Sequence, residues 1–165
     1  MRRHHFASGL LAIGGALALP AFAGETLVQF NDGFGVDPVA GIANGAPIAN
    51  IVLGVPPGGR PWVIRKLRAN IQTDGLVSIR GQGLLLAGGD ALGSRGPVTQ
   101  VFATLFCGAT AHHSAIADLD SAGNFQIRGA LSAAPPNPCS APVLLIRNAT
   151  GTQPWFAAGL PGGDD

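Results

Sequence analysis

Pro97-Val98-Thr99-Gln100-Val101-Phe102-Ala103-Thr104-Leu105-Phe106-Cys107 is the longest unbroken run rich in β-branched and aromatic residues in this chain. A proline opens it, and one of only two cysteines closes it. Such side chains suit a pleated, half-buried surface. Strand parity puts Val101, Ala103, Leu105 and Cys107 on one face. Val98, Phe102 and Phe106 fall on the other, with Gln100 and Thr104. Apolar side chains on both faces predict an interior strand in a sheet covered on both sides.

Outward from this run the chain reads as short strands separated by turn signals. Upstream, residues 26–30 form a first expected strand. Residues 31–47 read as loop, with a short apolar piece at 39–42, and residues 48–55 as a second strand ended by Pro56-Pro57-Gly58-Gly59. From Trp62 to Gln72 the pattern alternates, with Val63, Leu67, Ala69 and Ile71 expected inward. Arg65 interrupts that face and marks a bulge or an edge. Thr73-Asp74-Gly75 then predicts a hairpin into residues 76–80. Downstream, residues 115–120 and 125–131 flank the turn Ser121-Ala122-Gly123-Asn124 as a second hairpin. Residues 143–147 and 155–160 complete about nine strands. Helical periodicity is interrupted everywhere by the 25 glycines and 13 prolines. The expected fold is all-β: an antiparallel β-sandwich with Greek-key-like connections, a closed β-barrel being the alternative.

The N-terminus has the form of a cleaved bacterial secretory signal peptide over residues 1–23. Arg2 and Arg3 head an apolar stretch too short to span a membrane, and Ala21-Phe22-Ala23 matches an A-x-A cleavage site. The domain is expected over 24–160, with 161–165 a flexible acidic tail. Arg2 and Arg3 belong to the leader, so the net charge of +1 falls to about −1 without them. No basic cluster recommends nucleic acid as a partner: Arg60, Arg65, Lys66 and Arg68 read as the solvated face of one strand. No segment after the leader is long and apolar enough to span a membrane as a helix. The expected location is the periplasm or outside the cell, where Cys107 and Cys139 would form a disulfide.

Catalytic motifs are missing: there is no G-x-S-x-G, H-E-x-x-H, P-loop or C-x-x-C. The one constellation with metal-binding chemistry is His112, His113, Asp118 and Asp120, a copper or zinc set lying inside the disulfide loop. Against it stands parity, since neighbouring strand residues face opposite ways. Trp62 and Trp155 are candidates for ligand stacking, or, as residues following prolines at strand starts, plugs for the ends of the sandwich. No cofactor is expected apart from that copper or zinc. The functional expectation is a non-enzymatic binding or structural protein, with self-association or a protein partner through an apolar edge. A weak metal-binding protein is the alternative.

Overall fold

The computed structural model describes residues 24–162. The expected signal peptide and the last residues of the acidic tail lie outside them. Within this range the chain is all-β. Its strands are β1 (Thr26–Gly35), β2 (Val39–Ala43), β3 (Ala46–Ala49), β4 (Trp62–Val63), β5 (Lys66–Gln72), β6 (Leu76–Gln82) and β7 (Leu85–Leu86). They continue with β8 (Gln100–Cys107), β9 (Thr110–His113), β10 (Ala117–Asp118), β11 (Phe125–Ala130), β12 (Val143–Asn148) and β13 (Trp155–Pro161).

Nine strands form one antiparallel sheet in the order β10-β8-β12-β13-β1-β5-β6-β11, with β9 pairing β8 beside β10. The sheet curls until its two ends, β10 and β11, come back into contact. Its halves thereby face each other across one core, a sandwich-like arrangement. Residues 83–99 and 131–142 carry the chain between the halves. No ladder joins β10 to β11, so the barrel is not closed. Local bonds tie the seam instead. The Asp120 amide donates to Asn124 O at 3.0 Å at one end, and the Ser132 amide donates to His113 O at 2.7 Å at the other.

The run that opens the sequence reading is β8. From Val101 to Cys107 every residue is buried. β12 lies along one side of it, and β9 and β10 share the other. Val101, Ala103, Leu105 and Cys107 enter the core with Phe30, Leu67, Ile71, Ile79 and Ile127. Each large apolar side chain so buried contributes about 1.5–3 kcal/mol. Cys107 bonds Cys139, 32 residues away, fixing the ladder-free Pro-rich segment to the end of β8.

Three expectations change in the first third of the chain. β1 runs on to Gly35, and residues 39–49 form the hairpin β2–β3 rather than loop. Asn44 and Gly45 both adopt positive φ, 51° and 76°, the requirement of the tight turn that Asn-Gly favours. The expected strand over 48–55 stops at Ala49, because Leu53-Gly54 makes a second such turn between the bridged residues Val52 and Val55. Val63 faces solvent, while Trp62 and Ile64 go inward. An inward set of 62, 64 and 67 requires a change of parity, and it falls at the expected interruption: Arg65 donates its amide to Gln82 O before β5 begins. The last strand reaches Pro161, and the Gly162 amide donates to Gln29 O at 2.9 Å. β1 also passes so close to β4 that a Cβ on Gly35 would meet the Trp62 carbonyl oxygen at 1.9 Å.

Two changes test this account by urea unfolding. Leu105→Ala should lower the unfolding free energy by about 2–5 kcal/mol. Replacing both cysteines by serine should lower it by about 3–4 kcal/mol, the value for closing a loop of this length. A loss well under 1 kcal/mol in both would show that β8 is not the stabilising strand.

Candidate functional site

The histidine pair sits on β9, in register with β8: His112 opposite Leu105 and His113 opposite Thr104. The two rings therefore leave the strand on opposite faces. His112 enters the core and is 5% exposed. Its Nδ1 lies 3.1 Å from Ala133 O, so Nδ1 carries the proton and donates. Its Nε2 is enclosed without a hydrogen-bond partner among the described residues.

His113 lies on the outer face in a small polar cluster. Its ring meets Phe102 edge-on at 5.9 Å, and its Nδ1 is 3.0 Å from Thr104 Oγ1. Arg147 Nη1 donates to that same hydroxyl at 3.3 Å, and Arg147 Nε donates to Gln153 O at 2.8 Å. The guanidinium also covers Phe102, 5.1 Å from the ring centroid. The hydrogen bonds have a direction. Thr104 accepts from Arg147 and passes its own hydrogen to His113, which accepts as the neutral imidazole. Burial holds the His113 pKa below its ordinary 6.5, and the charges of Arg147 and His112 add to the effect.

Neither carboxylate joins the histidines. Asp118, on β10, accepts from Gln100 Nε2 at 3.1 Å. Asp120 caps the turn into β11, accepting from the Ala122 amide, the Asn124 amide and Asn124 Nδ2 at 2.8–3.0 Å. These bonds, the Asn124 amide first, hold its carboxyl below the usual range. The four residues proposed for copper or zinc are thus divided among the core, the outer face, β10 and a turn. No group of three or more His, Cys, Asp or Glu among the described residues is placed to hold a metal ion.

The tryptophans are both buried. Trp62 stacks on Phe156 with centroids 4.1 Å apart. Trp155 meets Phe34 edge-on and donates its indole N–H to Asn50 O at 3.0 Å. That bond reaches the neck of the hairpin β2–β3. There the Asn50 amide donates to Pro38 O and its side chain to Asp37 O, both at 2.9 Å. Trp155 is the core's grip on a projecting arm.

No catalytic or metal-binding motif marks the arm. Among the described residues β2 and β3 pair with each other and with no third strand. Residues 38–59 contain no charged side chain. Val39, Ile42, Ile48, Ile51 and Leu53 are all exposed, Ile42 at 76% and Ile51 at 60%. Its signal was present in the sequence, as an Asn-Gly pair within a long uncharged stretch. Thr104 and Arg147 carry no such signal, because only register brings them beside His113. No family model matches the chain, and no curated protein or solved structure matches it either.

The His113 cluster makes stability depend on pH. Protonation is easier in the unfolded chain, so the contribution of neutral His113 is complete above the unfolded value of 6.5. It is lost as pH falls through the lower folded pKa. Urea midpoints should therefore decline on acidification below about pH 6.5, and His113→Gln should flatten that decline. An unchanged slope in the variant would remove His113 as its source.

Proposed function

We propose that this protein is an exported, non-enzymatic binding and assembly protein of the periplasm or extracellular space, working through the β2–β3 arm. The observation that carries the reading is that arm: an uncharged, exposed, apolar hairpin held at its neck by the core residue Trp155. Contiguous exposed apolar surface of this kind marks interaction sites. Among the described residues each arm strand has one ladder partner, which leaves its other edge able to add another strand. Pro47 removes a donor from β3, which leaves β2 the more complete edge. The disulfide Cys107–Cys139 supports an oxidising compartment, and no helix among the described residues is long and apolar enough to cross a membrane. The two histidines after the leader are both engaged in structural contacts, which favours binding over acid–base catalysis.

The first partner to test is a second copy of the chain. Light scattering behind size exclusion should give a mass that rises with protein concentration. Ile42→Lys and Ile48→Lys each place a charge on the arm and should weaken association by about tenfold or more. A strict monomer at every concentration, or association indifferent to both lysines, would take self-assembly away from the arm.

A further inference from the structure

The outer face of β5, β6 and β11 gathers cations that the sequence keeps far apart. Parity turns Lys66 and Arg68 of β5, Arg80 of β6 and Arg128 of β11 outward, and all four are exposed. Register sets them side by side. Arg68 lies directly opposite Arg80, Arg80 opposite Gln126, and Arg128 two residues further along β11, opposite Ser78.

Like charges directly across a ladder repel. Gln126 holds two of them together. With its amide oxygen turned toward the arginines, it accepts from Arg80 Nε and Nη2 at 3.2 Å and from Arg128 Nε and Nη2 at 2.8 Å. A neutral oxygen shared by two guanidiniums orients both and compensates neither. No carboxylate among the described residues lies within 4 Å of these cations. The acids at the rim, Asp118 and Asp120, share a hollow with Arg80 and Gln126 but are bonded to Gln100, Ala122 and Asn124. Beside them, Arg68 and Arg80 border a shallow hollow of about 300 Å³ whose polar lining includes Asn31, Asn70 and Ser78.

We propose that this face binds an acidic polysaccharide, its carboxylates on Arg68, Arg80 and Arg128 and its hydroxyls on Asn31, Asn70 and Ser78. Guanidinium forks match carboxylates bidentately. Amides and hydroxyls both donate and accept, as sugar hydroxyls require. The exposed residues of β5, β6 and β11 include no aromatic side chain. Single-stranded nucleic acid is bound on aromatic platforms as well as cations, so the lining favours the glycan. This surface is separate from the apolar arm, and its test is independent of self-assembly.

The experiment is calorimetry and affinity electrophoresis of the purified protein with polygalacturonate, neutral dextran and a single-stranded DNA oligonucleotide. Polygalacturonate should bind, more weakly as salt rises, and dextran should not. Arg80→Gln combined with Arg128→Gln should reduce the affinity by about tenfold or more. Arg60→Gln, off this face, should leave it unchanged. Thermal melting reports separately on folding, and Arg68→Gln alone gives a second test if the double variant is unstable. Absence of polygalacturonate binding, binding indifferent to the arginine variants, or tighter binding to DNA would overturn the proposal.

Discussion

The structure depends on one strand being dry on both faces. β8 cannot lie at a sheet edge or on a one-sided sheet, because Phe102 and Thr104 are as enclosed as Val101, Ala103 and Leu105. Covering its core face requires the opposite half of the sheet, which is why the sheet curls. Covering its outer face requires something else, and Arg147 and His113 supply it, the guanidinium over Phe102 and the imidazole at Thr104. His113, one of the four expected metal ligands, is thus part of the burial of β8. The disulfide then holds the Pro-rich segment, which has no strand of its own, against the end of the same strand.

A curled sheet has an inside and an outside, and the function proposed here belongs to the outside. The core absorbs both tryptophans and one histidine. What remains for partners is the arm, rooted through Asn50, and the cationic outer face of β5, β6 and β11. The two surfaces differ in chemistry. The arm has no charge and, among the described residues, unpaired strand edges, so it suits a partner strand. The cationic face presents guanidiniums that have no carboxylate partner among the described residues, so it suits an anion. Neither competes with the core for residues, which allows each to be changed by substitution without unfolding the sheet.

Much of the fold was legible in residue order. The alternation through β5, β6 and β11, the Asp-Gly hairpin, the burial of β8 and the cysteine pair all follow from local rules. The misreadings have physical causes. Residues 31–55 read as loop and a single strand because ten of the 25 are glycine, asparagine or proline. Yet Asn44-Gly45 and Leu53-Gly54 are turns that make small hairpins rather than break structure. Val63 faces outward, against the alternation read from Leu67 back, because the parity changes at Arg65. His112 and His113 are adjacent in sequence and separated by the sheet itself.

The sequence alone determined the class of structure, the interior strand and the covalent tie, because each rests on the period of two along a strand or on a count of cysteines. Only the tertiary structure decided which side chains meet. Arg68 and Arg80 face each other through a hairpin register. Arg128 reaches them through β11, and Arg147 reaches Thr104 across β12 and β8. Register between strands is set by packing over the whole core, and a one-residue slip would turn every one of these side chains to the other face.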